Sequence, residues 1–183
     1  MVFIALLRGI NVGGNAMVIM AALKACFEQL GLTDVKTYIN SGNVIFWASE
    51  NDKQAITKRI EAALEQSFGH PIRALLKTHR ELEHIVAALP NSWVNDKETK
   101  CDVMLLWDSI DKPGVLDALP INPDVEDVRY QPGAVIWRVN RANATKSRMT
   151  KIVGTQLYKQ MTIRNANTTR KLLTLASELD AKR

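Results

Sequence analysis

Residues 2–7, VFIALL, are apolar without a break, the pattern of a short strand buried on both faces. The period then changes. Across residues 17–30, Met20, Leu23, Phe27 and Leu30 recur at helical spacing, and Gly31 stands where a helix can end in a left-handed residue. Residues 35–39 read as a second strand, NSGN at 40–43 as a turn, and 44–48 as a third strand rich in β-formers. Ile56, Ile60, Ala63, Leu64 and Phe68 make residues 52–68 an amphipathic helix, with Gly69 after it. A fourth strand, 72–76, is introduced by Pro71. The order is βαββαβ, that of a split-βαβ, ferredoxin-like unit.

A second, looser series follows. Thr78 and Glu81 have the spacing of a capping box, Leu82, Ile85, Val86 and Leu89 line the inner face of the helix it opens, and Pro90 ends it. Residues 101–107 read as a strand, 115–119 as a short helix after Pro113, and 128–131 with 134–139 as a hairpin around Pro132 and Gly133. Residues 144–160 look helical without a strong period. Residues 168–179 form a clearer final helix that buries Leu172, Leu173, Leu175, Ala176 and Leu179. The pattern predicts an α+β protein of two ferredoxin-like α/β plait units with antiparallel sheets, plus C-terminal helices. The expected division is 1–77 for the first unit, 78–143 for the second, and 144–183 for a basic helical segment packing on the units.

The length of 183 residues allows about 70% of the unfolded surface to be buried, enough for a core without staples. No stretch approaches the roughly 20 apolar residues of a membrane span, and the opening MVFIALLR lacks the basic start of a signal peptide. A cytoplasmic protein with no membrane partner is expected. Cys26 and Cys101 each sit in an apolar segment and read as buried free thiols. His70, His79 and His84 follow no ligand spacing, so no metal and no cofactor is expected.

The net charge of +5 is unevenly spread. Residues 138–183 hold 11 Lys plus Arg against two acids, a net of +9, whereas residues 1–137 hold 13 bases and 17 acids, a net of −4. A basic final quarter on a mildly acidic body points either to an anionic partner or to charge pairing between the two parts.

RGINVGGN, residues 8–15, follows the first strand, where phosphate-binding loops often sit. Its glycines do not have the GxGxxG spacing of a dinucleotide fingerprint. Gly9 and Gly14 fit the glycines of a P-loop, but Asn15 and Ala16 stand where that loop needs Lys and Ser or Thr, so neither the phosphate charge nor the Mg²⁺ ligand is supplied. A weaker anion site survives: Gly13 and Gly14 can take positive φ, and the loop feeds a helix N-terminus. In a βαββαβ unit the loop after strand one and the turn between strands two and three share one end of the sheet. Arg8, Asn11, Asn40, Ser41 and Asn43 should therefore converge there. The competing explanation is that Asn and Gly serve tight turns and Arg8 is solvated or paired with an acid.

LLRGINVGGN, TDVKTYINSGNVIF and TIRNANTTRKLLTLA resemble the bacterial family catalogued as domain of unknown function 1697. The resemblance implies two ferredoxin-like plaits and a cytoplasmic bacterial protein, and carries no particular activity, substrate or cofactor. This chain departs from the family pattern in two places. Asn15 to Met17 are neutral where the family has basic residues, with Ile19 in place of a proline, and Ala166 replaces the tryptophan of the late motif. In that late motif Asn165 or Asn167 is a natural N-cap, and Arg164 and Arg170 flank the helix entrance. Arg164, Asn165 and Thr168 are expected to approach the Arg8–Asn43 end of the first unit.

The candidate anion- or ligand-binding residues are Arg8, Asn11, Gly13, Gly14, Ser41, Asn43, Arg164, Asn165 and Thr168. The expected function is an anion-binding module for a phosphorylated small molecule or nucleic acid. The alternatives are an enzyme acting on a phosphorylated or carboxylated small molecule in a cleft between the units, and a protein-interaction module. The chain has no GxSxG, no HExxH and no Cys/His pair, so no catalytic residue is named. Asp124, Glu126 and Asp127 read as a solvated acidic turn, and Trp47, Trp93, Trp107 and Trp137 as packing residues rather than base platforms.

Overall fold

The computed structural model describes residues 1–11 and 17–183. The chain forms two compact units, one of Met1–Leu82 with Leu172–Arg183, the other of Glu83–Lys171.

The first unit is built on β1 (Val2–Leu7), β2 (Thr33–Tyr38), β3 (Asn43–Trp47) and β4 (Ala74–Thr78), in the sheet order β2-β3-β1-β4 with every neighbouring pair antiparallel. The unbroken apolar run of β1 follows from this place: all six of its residues are buried. Phe3, Ala5 and Leu7 form one core with Leu23 and Phe27 of α1 (Met20–Gln29) and Ile56, Ile60 and Leu64 of α2 (Lys53–Phe68). Phe46 stacks on Phe3 at 5.7 Å between ring centroids and meets Phe27 edge-on at 5.5 Å. The Asp52 carboxylate accepts from the Gln54 and Ala55 N–H groups to start α2, and Gly69 at φ +75° ends it.

The same unit takes in the end of the chain. Leu172, Ala176 and Leu179 of α4 (Ala166–Asp180) are buried, and the His79 ring lies 2.9 Å from Ser177 Oγ and 3.2 Å from Asp180. Arg183 stands 4.4 Å above the Trp47 ring and pairs with Asp34. The expected capping box forms at α3 (His79–Ala87): the Thr78 N–H donates to Glu81 Oε2 at 2.7 Å, and the Glu81 N–H donates to Thr78 Oγ1 at 3.1 Å. Lys53 donates to the other Glu81 oxygen at 2.6 Å.

The second unit repeats the arrangement. Its strands are β5 (Thr99–Leu106), β6 (Glu126–Gln131), β7 (Ala134–Asn140) and β8 (Met161–Asn165), in the order β6-β7-β5-β8, again antiparallel throughout. The α+β expectation of two antiparallel plaits holds. The connections differ from the sequence pattern. Where helices occupy the crossovers of the first unit, the second uses 3₁₀ turns: Asp108–Ile110 and Pro113–Ala118, then Arg141–Lys146, Met149–Ile152 and Tyr158–Gln160. Residues 144–160 thus form no α-helix, which accords with their missing period. Strand β8 was hidden because its polar residues Thr162 and Arg164 are themselves buried.

One backbone approach dictates a residue. Gly42 closes the turn from β2 to β3 at φ +72°, and its carbonyl accepts from the Leu7 N–H at 2.8 Å. A Cβ there would stand 2.7 Å from both Leu7 Cβ and Ile10 Cδ1. We expect Gly42→Ala to cost about 2–4 kcal/mol, combining left-handed strain with overpacking. Gly69→Ala, with nearly the same φ and nothing within 4 Å, should cost only about 1–2 kcal/mol. Chemical denaturation of both variants measures the difference.

Candidate functional site

The residues singled out at the early loop share one end of the first sheet. Asn43 lies opposite Leu6 in the β1–β3 register, and the Arg8 N–H donates to the Arg73 carbonyl at 3.0 Å. Asn11 uses its whole carboxamide on the main chain. Its Nδ2 donates to the carbonyls of Val18 (3.0 Å) and Asn40 (2.8 Å), while its Oδ1 accepts from the Val18 N–H at 2.8 Å. This clasp ties the loop to the β2–β3 turn and holds Val18 outside the helix, so α1 starts at Met20 rather than at residue 17. Asn43 is fully buried, and its Nδ2 donates to the Tyr38 carbonyl at 3.0 Å and to Ser41 Oγ at 2.8 Å. Arg8 is half-buried. Gly13 and Gly14 lie outside the described residues.

The late motif belongs to the second unit as far as Lys171. Arg164 lies in β8 opposite Val103, with its residue 8% exposed. Its guanidinium donates to Thr162 Oγ1 at 3.0 Å and to the Ile163 carbonyl at 2.9 Å, and burial lowers its pKa to about 10. It therefore stays cationic at neutral pH. Asn165 Oδ1 accepts from the Thr168 N–H at 2.8 Å, the N-cap bond that its position called for. Arg170 donates to the carbonyls of Trp93 and Pro90, at 2.9 and 2.7 Å.

A third feature of the second unit carries the most exposed charge. The turns between β7 and β8 present Arg141, Lys146, Arg148, Lys151 and Lys159 to solvent, and no acidic residue occurs between Asp127 and Glu178. Arg141 donates to the Asp96 carbonyl at 2.7 Å and to Asn95 Oδ1 at 3.2 Å. Among the described residues, the side chains of Lys146, Arg148 and Lys151 form no ion pair and no hydrogen bond.

The anchor of these turns is a carboxylate. Glu126, 6% exposed, accepts through Oε1 from Ser147 Oγ, from the Arg148 N–H at 3.0 Å and from the Met149 N–H at 3.3 Å, and through Oε2 from the Asn122 N–H. Glu126 is therefore not part of a solvated acidic turn. The carboxylate is the partner of the main chain that carries the cations.

The family model described as a protein of unknown function (DUF1697) matches residues 1–137. The chain belongs to this family. A solved structure, that of the conserved bacterial protein SP0830 from Streptococcus pneumoniae, is similar at 25% identity and a TM-score of 0.80, covering 96% of this chain and 98% of that one. No curated protein matches. In this DUF1697 member the matched stretch contains the Asn11–Gly42–Asn43 corner, whose geometry accounts for those residues as a loop clasp. The basic turns follow it. Among the described residues, no helix of this DUF1697 chain is long and apolar enough to cross a membrane, and no three His, Cys, Asp or Glu side chains gather where a metal could sit.

Burial raises the Glu126 pKa, but the hydrogen bonds from Asn122, Ser147, Arg148 and Met149 outweigh it and hold the carboxyl below its ordinary value of 4.5. A depressed folded value means that the stabilisation is complete above the ordinary carboxylate range and disappears as pH falls through the lower folded value. We expect Glu126→Gln to cost about 1–3 kcal/mol at pH 7 and to blunt acid sensitivity below pH 4.5. Amide hydrogen exchange at Arg148 and Met149 should rise in the variant, while exchange in β5 should not.

Proposed function

We propose that the protein is an anion-binding module without catalysis of its own, and that its partner is a nucleic acid held on the basic turns between residues 141 and 160. The observation that carries this reading is the set of three exposed cations, Lys146, Arg148 and Lys151, with no carboxylate partner among the described residues. Surface cations in a globular protein are usually interspersed with acids, which this stretch lacks. Their main chain is held by Glu126 at Arg148, by Asn122 Nδ2 at the Lys146 carbonyl and by the Lys151 N–H on the Arg148 carbonyl, so the charges sit on an ordered platform rather than a floppy tail. Exposed cations on successive turns suit an extended polyanion better than a small phosphorylated molecule, which needs an enclosing pocket.

The glycine-loop end fits this role less well. The carboxamides of Asn11 and Asn43 are engaged with the main chain and with Ser41. Arg164, buried and bonded to Thr162 Oγ1 and the Ile163 carbonyl, and Arg8, at the end of the other sheet, are not contacts in this proposal.

Fluorescence anisotropy with a labelled mixed-sequence duplex, titrated over a range of salt, tests the reading. The logarithm of the affinity should fall with the logarithm of salt at about −0.9 per phosphate contacted. Replacing Lys146, Arg148 and Lys151 together by Ala should flatten that slope by about 2.7, whereas Arg8→Ala should change it little. A flat salt response in the wild type, or a slope unchanged in the triple variant, would overturn the proposal.

A further inference from the structure

Strand β5 is central in its sheet, yet two charges interrupt its apolar pattern. Lys100, Asp102 and Met104 alternate onto one side of the strand, the side facing the 3₁₀ turns of residues 149–158. Between that face and the turns lies a partly open cavity of about 110 Å³, whose wall includes Lys100, Asp102, Met104, Trp137, Ile152 and Ile163. All of these residues belong to the second unit.

The polar groups of this cavity are not explained by packing. The Asp102 side chain is 17% exposed, and its one polar side-chain partner among the described residues is the Lys100 ammonium at 3.5 Å. Lys100 in turn stands 5.1 Å from the centroid of the Trp137 ring, held by the ring face. The Trp137 residue is 2% exposed, and its indole N–H is buried without a hydrogen-bond partner. Burial pushes the Asp102 carboxyl above the ordinary carboxylate range, with Lys100 and Arg141 offsetting only part of the cost. A sheet built only for stability would be better served by a neutral residue at this position. The pair therefore reads as a recognition element, a carboxylate and an ammonium side by side on an apolar wall.

We propose that this cavity binds a small zwitterion of the α-amino-acid class with a short aliphatic side chain, its ammonium on Asp102, its carboxylate on Lys100, and its side chain against Met104, Ile152 and Trp137. An α-amino acid holds its ammonium and carboxylate on one carbon, a short span that suits a pair 3.5 Å apart. A single cation would be repelled by Lys100, and a single anion by Asp102. Size narrows the class further. An apolar cavity of about 150 Å³ admits benzene, so this one, at about 110 Å³, has room for roughly four enclosed heavy atoms, the size of a valine or leucine side chain. The cavity borders the turns that carry Arg148 and Lys151 but is lined by other side chains, so different variants test the two readings.

The test uses the full chain and the common L-amino acids as probes at millimolar concentration, read by thermal shift and by the indole N–H signals of its four tryptophans. Trp137→Phe assigns the relevant signal. Valine or leucine should raise the melting temperature and move the Trp137 signal. Isobutylamine and isovalerate, which each keep one of valine's charges, should bind at least about tenfold more weakly. Asp102→Asn should melt at or above the wild-type temperature, because it removes a buried charge, and should lose affinity for valine by about tenfold or more. Lys100→Gln, at a residue whose side chain is 40% exposed, should fold normally and lose affinity likewise. The proposal is overturned if no amino acid shifts either signal. It is also overturned if Asp102→Asn or Lys100→Gln binds valine as the wild type does, or if the singly charged probes bind as well as valine.

Discussion

A strand flanked on both sides by others has no access to water for its main chain, and its side chains are accepted only if they tolerate burial. In each sheet of this protein two strands are so placed, β1 and β3 in the first and β5 and β7 in the second, and β1 and β5 hold corresponding positions. The rest of each unit is organised around that requirement. β1 meets it with VFIALL, which is buried along its whole length and offers helices α1 and α2 a continuous apolar surface. β5 meets it with TKCDVMLL, in which the half toward Leu106 is as apolar as β1 and the half toward Thr99 is not. Two strands in corresponding places under the same constraint thus differ at Lys100 and Asp102, and a difference of this kind marks a place where stability has been exchanged for another property.

Much of the first unit was legible because its elements announce themselves one at a time. A six-residue apolar run, a helical period ending at a glycine, and an Asp before an amphipathic stretch each specify their own conformation locally. The second unit was legible in its hairpin and in β5, where alternation and β-branched residues are strong. Residues 144–160, helical in composition, form 3₁₀ turns, and β8 (Met161–Asn165) leaves no pattern of its own, because the structure there is not local. The 3₁₀ turns are held by Glu126, a residue far back in the chain, and β8 exists by pairing with β5 although Thr162 and Arg164 give it a polar face in sequence. No periodicity encodes a turn whose hydrogen-bond acceptor lies some twenty positions away.

The site residues divide in the same manner. Asn11, Ser41, Gly42 and Asn43 were recognisable as a group, and the topology does bring them to one end of the sheet. Their chemistry turned out to be directed inward: carboxamides that close loops cannot be told by residue type from carboxamides that bind ligands. Glu126 shows the converse. An acid among acids has the pattern of solvated surface, yet both its oxygens are spent on main-chain and hydroxyl donors. Lys100 and Asp102 carried a signal that composition alone does not weigh, namely charge on a strand otherwise apolar enough to be central.

The membership of Leu172–Arg183 in the first unit has a consequence for how the protein is made. A ribosome releases β1 to α3 early, but Leu172, Ala176 and Leu179, together with the Ser177 and Asp180 partners of His79, emerge only after every strand of the second unit has been synthesised. The opening portion of the polypeptide must wait in an incomplete state with apolar surface uncovered, a window in which a chaperone or a rapid collapse has to protect it. Proteolytic trimming that removes Leu172, Ala176 and Leu179 would accordingly damage the amino-terminal half first.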